Sequence, residues 1–358
     1  MTPGAARVRV VHLGPEAPGR GGMGLSILGL LHSPLAERYE MKAIATWSPT
    51  AGALDGAMLF ARALASLVRW CAVRRKGIVH VHAAVRGSWY RKAVCVSLAK
   101  LLRRPVVLQI RSGPGDIVEF DARLGPVRRA MFRLLFALPN EVVSVSQAGA
   151  DEIERRYGRE RIVVVSNPAP PVSAAAPPST AERPTLLYVG GFADPAKGGE
   201  VMIEALPAIL DAHPGTQVVL AGPGEPPPAA ARVIDDRDHV SWLGWLDDAA
   251  KAKEFARADV FVLPSLSEGM PNAMLEAMAN RRAVVATRVG GVPDVITDGE
   301  DGLMVPAGQA APLARAAGTL LSDPDLRSRL AEAAGLRAER LTRDEVWGRL
   351  DSIYKAIA

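Results

Sequence analysis

Two glutamates, Glu268 and Glu276, lie with seven residues between them in the run Leu263-Pro264-Ser265-Leu266-Ser267-Glu268-Gly269-Met270-Pro271-Asn272-Ala273-Met274-Leu275-Glu276-Ala277-Met278-Ala279. The apolar Val260-Phe261-Val262-Leu263 before it reads as a strand, and the residues after Gly269 as a helix. Pro271 suits the first helical position, because its ring fixes φ and it has no N–H to leave unpaired. Backbone amides from Gly269 to Asn272 would then stand free at the positive end of the helix dipole, a seat for an anion such as a diphosphate. Carboxylates repel phosphate but accept hydrogen bonds from hydroxyls. Glu268, just before the helix, therefore suits a sugar, and Glu276, about one and a half turns in, suits a ribose. Gly269, Met270, Pro271, Asn272 and Leu275 complete the expected seat. The implied ligand is a sugar carried on a diphosphate.

The pattern P-S-x-x-E-G-x-P-x-x-x-L-E-A-M-A around these glutamates resembles the signature of the retaining glycosyltransferases of family 4, nucleotide-sugar enzymes of the GT-B architecture. The alternative is a surface helix with ordinary solvated glutamates. The resemblance implies two Rossmann-like domains facing across a cleft, with a closing helix that crosses back to the first domain. It also implies transfer with retention of configuration from a nucleoside-diphosphate sugar to a glycan or lipid-linked acceptor, in cell-surface polysaccharide synthesis. No cofactor and no metal are expected, the nucleotide sugar being a substrate. Two rivals share the architecture: a nucleotide-sugar epimerase, which would convert donor without acceptor, and a binder that neither transfers nor hydrolyses.

Several other segments match the family in part. Gly190, Gly191 and Lys197, in Tyr188-Val189-Gly190-Gly191-Phe192-Ala193-Asp194-Pro195-Ala196-Lys197-Gly198-Gly199, read as strand, tight loop and helix start. Lys197 would bring a point charge to the diphosphate, whereas Gly191 occupies the place of an expected arginine. Arg111 stands where relatives show a histidine near the donor sugar, and is expected to supply the cation missing at Gly191. His82 resembles a residue near the acceptor; packing within a sheet is the competing reading for it and for His80. Gly21 and Gly22 lie in Gly19-x-Gly21-x-x-Gly24, a dinucleotide-like fingerprint placed too far after its strand for nicotinamide or flavin; they resemble the family's glycine loop. Gly244 and Trp245 fall where relatives hold the nucleobase. Asp236-Arg237-Asp238 reads as a solvated turn, and the six histidines show no metal-ligand spacing.

Strands near 8–13, 41–47, 78–82, 106–110, 142–146 and 162–165 alternate with helical stretches, and a second series follows near 185–190, 216–221, 239–242, 259–263, 283–286 and 302–305. That alternation argues two doubly wound parallel sheets. Six prolines within residues 168–184 mark the boundary. The expected domains are 1–170 for the acceptor, with a returning helix at 341–358, a linker at 171–184, and 185–340 for the donor. An apolar content of 49% supplies the cores of both. In the last helix Val346, Leu350, Ile353 and Ile357 share one face, and a helix at 58–73 presents Phe60, Leu64, Leu67, Val68 and Cys71. Two cysteines, Cys71 and Cys95, make no disulfide framework, and no apolar run is long enough to span a bilayer, so a cytoplasmic protein is expected.

Charge is uneven. Residues 1–178 carry 25 Lys+Arg against 12 Asp+Glu, and residues 179–358 carry 18 against 26, so a net +13 faces a net −8. A basic half of this kind meets an anionic surface. Nucleic acid is the lesser candidate, because no helix-turn-helix, zinc-finger or RNP-like motif accompanies the charge, and no nucleic-acid partner is expected. The stretch Phe120–Phe136, with Arg123, Arg128, Arg129 and Arg133 among apolar residues, reads as a basic amphipathic helix that could attach peripherally to the inner membrane face.

Overall fold

The computed structural model describes residues 7–16, 22–48, 50–73, 76–85, 88–172 and 183–358. Gly21, Arg86, Gly87 and most of the expected linker fall outside them. The chain divides into two compact units, Met1–Asn167 with Asp344–Ala358, and Pro168–Arg343.

The first unit is built on β1 (Arg9–Pro15), β2 (Glu40–Trp47), β3 (Gly77–Ala83), β4 (Val106–Ile110), β5 (Glu141–Ser144) and β6 (Val163–Val164). They form one parallel sheet in the order β2-β1-β3-β4-β5-β6. Its helices are α1 (Gly22–Leu31), α2 (Leu35–Arg38), α3 (Ala53–Ala72), α4 (Ser88–Leu101), α5 (Pro114–Ala122), α6 (Pro126–Ala137) and α7 (Gln147–Tyr157). Every residue of β3 and β4 is buried, as expected for a parallel sheet covered on both faces. Val11, Leu13, Val79, Val81 and Leu108 face one apolar cluster, and their alternates Val10, Ile78, Val107 and Val143 face another. In α3 the outcome is mixed: Leu67 and Cys71 are buried, Phe60 and Leu64 pack against the core, and Val68 is exposed. The stretch 120–136 is not one helix. Arg123 ends α5, and Gly125-Pro126 starts α6 afresh, because the proline has no N–H to continue a helical ladder.

The second unit repeats the plan with β7 (Thr185–Val189), β8 (Gln217–Ala221), β9 (Val240–Trp242), β10 (Val260–Leu263), β11 (Ala283–Thr287) and β12 (Leu303–Val305). The strand order is β12-β11-β10-β7-β8-β9, again parallel. Helices α8 (Gly199–Ala212), α9 (Pro228–Asp235), α10 (Asp248–Arg257), α11 (Asn272–Ala279) and α12 (Val292–Val295) connect the strands, and α13 (Ala310–Ser322) and α14 (Pro324–Glu339) follow the last of them.

The closing helix α15 (Arg343–Ile357) belongs to the first unit. Val346, Trp347, Leu350, Ile353 and Tyr354 bury on the sheet face that carries Val10, Ile78 and Val107, and Ile357 packs at its edge. Polar contacts fix the register: Asp351 accepts from Arg38 at 2.7 Å, Tyr39 at 2.8 Å and Lys355 at 2.7 Å.

Toward the carboxyl ends of the strands the same face turns polar. His12 and His82 share a ring-nitrogen hydrogen bond of 3.0 Å, His80 stacks on His82 with centroids 4.2 Å apart, and His80 Nδ1 lies 2.6 Å from the Tyr354 hydroxyl. All three histidines are fully buried. Burial pulls His12 down to about 4 and holds His80 and His82 well below the usual range. The native unit therefore binds fewer protons than the unfolded chain below about pH 6.5, and stability falls as the medium is acidified. Each histidine contributes a slope of about 1.4 kcal/mol per pH unit, which for His12 runs from about 6.5 to about 4. Urea midpoints measured from pH 7 to pH 5 should drop steeply, and His80→Asn should flatten the fall. A flat profile in the parent protein would show that the cluster is not neutral in the native state.

Candidate functional site

In the second unit the loops after β7, β8, β10 and β11 meet at the carboxyl edge of the sheet. Leu266 N donates to Ala196 O at 2.7 Å, Gly190 N to Ala221 O at 2.9 Å, Phe192 N to Pro223 O at 2.9 Å, and Gly291 N to Gly269 O at 2.9 Å. Two glycines permit this closeness. Gly191 has φ +71°, and a Cβ there would lie 2.3 Å from Pro223 O, so the arginine expected at that position has no room. Gly290 has φ +54°, and its Cβ would lie 1.7 Å from Glu268 O. Gly290 was not singled out from sequence; its signal was a Gly-Gly pair in the loop shortly after a strand.

Between these loops Lys197 Nζ donates to both oxygens of Glu268, at 2.9 and 3.0 Å. The Glu268 side chain is 6% exposed and that of Lys197 37%. Ser265 Oγ donates to Glu268 Oε1 at 2.8 Å, and Thr287 donates back to Ser265 O at 2.5 Å. Glu268 is therefore a fixed, charged group with a cation beside it, not a solvated side chain. Ser265 is the serine of the P-S-x-x-E pattern, whereas Thr287, at the end of β11, carried no sequence signal.

The helix behind this site starts one residue later than expected: Pro271 is its cap, with ψ 111°, and Asn272 is its first residue. Met270 and Asn272 have partners of their own, so the seat is not a run of wholly unengaged residues. Leu275 is buried within α11. Glu276, one turn along, accepts from Lys251 at 2.9 Å through Oε1, while its Oε2 is buried and unpartnered. Burial pushes the Glu276 carboxyl up, against the pull of Lys251. Gly244, at φ +64°, and Trp245, 49% exposed, follow β9, with Gly244 O accepting from Gly222 N at 2.8 Å. Trp245 is not a core residue. Asp236 caps α9 and Asp236-Arg237-Asp238 is a turn.

The candidates of the first unit sit apart from this group in sequence and environment. Gly22 begins α1. Arg111 donates from Nη2 to Ser26 Oγ at 2.7 Å and to Asn167 Oδ1 at 2.5 Å, and burial pulls its guanidinium down to about 10. His82 is sealed in the histidine cluster, as the packing reading expected. His12, His80 and His82 place ring nitrogens within 4.8 Å of one another, a proximity the sequence spacing did not show. The group does not suit a metal. A ligand nitrogen aims its lone pair in the ring plane, and two rings stacked at 17° cannot aim at one ion; Lys92 and Arg111 add positive charge.

Two parallel Rossmann-like units, the second with a charged carboxyl-edge site, define the GT-B fold class. The family model described as glycosyl transferases group 1 matches residues 183–323, and that described as Glycosyltransferase Family 4 matches residues 30–171. The chain belongs to the family 4, group 1 glycosyltransferases. It is 29% identical over 223 residues to a phosphatidyl-myo-inositol mannosyltransferase of Mycobacterium leprae, covering 60% of each. It is 36% identical to an alpha-D-kanosaminyltransferase of Streptomyces kanamyceticus, covering 49% of this chain and 46% of that one. The chain thus spans about half the length of the curated relatives it matches. Among solved structures, sucrose-phosphate synthase from Thermosynechococcus elongatus aligns with TM-score 0.78 at 18% identity over 97% of this chain and 98% of its own. HepE from Anabaena, in complex with UDP, aligns at 0.73 and 15% over 98% and 100%. These likenesses show the fold.

Proposed function

We propose that this chain is a retaining, metal-independent glycosyltransferase that moves a sugar from a nucleoside-diphosphate sugar to a glycan or lipid-linked acceptor. The observation that carries the proposal is Glu268 held between Lys197 and Ser265 at the carboxyl edge of the sheet, just before the helix that carries Glu276 one turn in. A binding site for a sugar diphosphate needs a cation for the phosphates and carboxylates for hydroxyls, and both are present on joined loops. The printed names of the relatives, a mannosyltransferase and a kanosaminyltransferase among them, support transfer, and the UDP bound to HepE supports a nucleotide donor.

In the reaction the bond from the anomeric carbon to the β-phosphate oxygen breaks and a bond to the acceptor oxygen forms on the same face. The acceptor proton goes to the departing phosphate oxygen. Negative charge grows on that oxygen in the transition state, and Lys197 stabilises it. Lys197 has three donors, so it can bridge Glu268 and a phosphate together. Glu268 orients the sugar and Glu276 the ribose, with Gly244 and Trp245 beside the base. His82 is left to packing, and Arg111 stays with Ser26 and Asn167 in the first unit. A thermal-shift panel of UDP, GDP, ADP and their sugars tests the reading. Selective stabilisation and acceptor-dependent release of diphosphate are expected. Donor conversion without acceptor would indicate an epimerase, and stabilisation without turnover a binder.

An anionic membrane surface is the partner we assign to α6. Val127, Met131 and Leu134 lie on one helical face and are 74%, 64% and 63% exposed, with exposed Arg128 and Arg133 beside them and Arg123 just before the helix. No helix among the described residues is long and apolar enough to cross a membrane, so the surface suits docking in the interface plane. Each arginine near an anionic bilayer contributes about 1 kcal/mol. Arg128→Glu with Met131→Asp should reduce co-sedimentation with phosphatidylglycerol vesicles by about ten-fold or more, and phosphatidylcholine vesicles should bind neither protein. Equal binding of both proteins, or lipid-free dimerisation abolished by the same change, would overturn it.

A further inference from the structure

The second glutamate of the pair is held by a lysine that no sequence pattern picks out. Lys251, near the start of α10, spends its ammonium on Glu276 Oε1 at 2.9 Å, and the two side chains are only 22% and 23% exposed. The other oxygen, Oε2, is buried without a hydrogen-bond partner. A buried acceptor in that state is costly, and an arriving hydroxyl would satisfy it. The lysine is itself a second-element group: α10 and α11 are separate helices, so the pair fixes the carboxylate from outside its own helix.

We propose that Lys251 is a positioning residue for donor recognition: by pinning Oε1 it presents Oε2 as a single charged acceptor for a ribose hydroxyl. The proposal rests on the reading of Glu276 as the ribose ligand. Its physical content is twofold. A carboxylate with both oxygens free can rotate and hydrogen-bond in several ways, whereas one with Oε1 held offers one geometry. The ammonium also opposes the burial that favours the protonated acid, and an ionised acceptor binds a hydroxyl more strongly than a neutral one. Among the described residues the charged groups acting on Glu276 are Lys251, which favours ionisation, and Asp248, which disfavours it, both on α10; the elements that pack on α11, β10, β11 and α14, contribute no further charge to it there.

The test is nucleotide binding. UDP, GDP and ADP, each beside its 2′,3′-dideoxy form, are titrated calorimetrically into the whole chain from about pH 6 to about pH 8.5, for the parent, Lys251→Met and Lys251→Arg. The parent should bind its preferred diphosphate with nearly constant affinity and favour the ribose form. Lys251→Met should bind about ten-fold more weakly at pH 8 and lose more as pH falls, because the unpaired, buried carboxyl takes up its proton. Lys251→Arg should recover most of the loss, and the unliganded melting temperature of Lys251→Met should stay within a few degrees of the parent. Unchanged binding by Lys251→Met, or a loss equal at every pH and not recovered by arginine, would overturn the positioning role. Glu276→Gln separates the two layers. If the parent and Glu276→Gln both bind ribose and dideoxy forms alike, the ribose reading itself fails, and the role of Lys251 falls with it.

Discussion

Replacing Lys197 with alanine should lower sugar transfer by about two to three orders of magnitude, the range seen when one donor to a developing oxyanion is removed. The side chain is the cation that touches Glu268 in the site, at 2.9 Å, and Gly191 leaves no space for a second one in its own loop. The loss should fall mainly on kcat, because the charge that Lys197 meets is greatest when the glycosyl bond is breaking. A second consequence separates this variant from a simple loss of contact. Glu268 is 6% exposed, and without Lys197 its carboxylate would keep, among the described residues, the bond from Ser265. A buried carboxylate stripped of its main partner costs about 1–3 kcal/mol or more. Unliganded Lys197→Ala should therefore melt lower than the parent, while Lys197→Met with Glu268→Gln together should recover stability but not activity. Steady-state kinetics and melting curves on the same preparations check both. A rate within ten-fold of the parent would remove Lys197 from leaving-group stabilisation.

Gly290→Ala should be the most damaging single-atom addition in the second unit. The residue sits at φ +54°, and the new methyl would lie 1.7 Å from the Glu268 carbonyl oxygen, 2.6 Å from its carbonyl carbon and 3.4 Å from its Cα. All three are backbone atoms, so no side chain can turn aside. Either Gly290 leaves the left-handed region, breaking the Gly291 N to Gly269 O bond, or the 265–270 loop is pushed off its neighbours. A destabilisation of about 3–5 kcal/mol is expected, in the class of strained backbone positions. The transfer rate of whatever folds should fall with it, because Glu268 would no longer meet Lys197 and Ser265. Gly299→Ala provides the control: it also has positive φ, at +81°, yet its Cβ would meet nothing within 4 Å. If Gly290→Ala is no worse than Gly299→Ala, contact with the Glu268 backbone is not what requires the glycine.

The strand pattern was legible because buried parallel strands are short, nearly continuous apolar runs with punctuation between them. Val260–Leu263, Val106–Ile110 and Ala283–Thr287 have little other reading. The 120–136 stretch failed because its apolar and basic residues keep a helical spacing through Leu124-Gly125-Pro126, and periodicity does not register a proline that restarts a helix. His82 was ambiguous for a related reason: two-residue alternation places it on the same side as His80, but does not say whether that side is covered. The covering element is α15, more than 260 residues further along. Pro271 was placed one position too far into its helix, a difference settled by one backbone dihedral.

By itself the sequence determined the two doubly wound sheets, the apolar face of the last helix, and the pair Glu268 and Glu276 as carboxylates at a strand-to-helix turn. These are properties of local order and residue type. Only the tertiary structure decided what those carboxylates touch. Lys197 is 71 residues from Glu268, and Lys251 is 25 residues from Glu276 and on another helix. Gly290 packs under Glu268 from a third loop. Charge pairing and backbone approach depend on separations of a few ångströms between distant segments, and no spacing along the chain encodes them until the sheet sets its strand order.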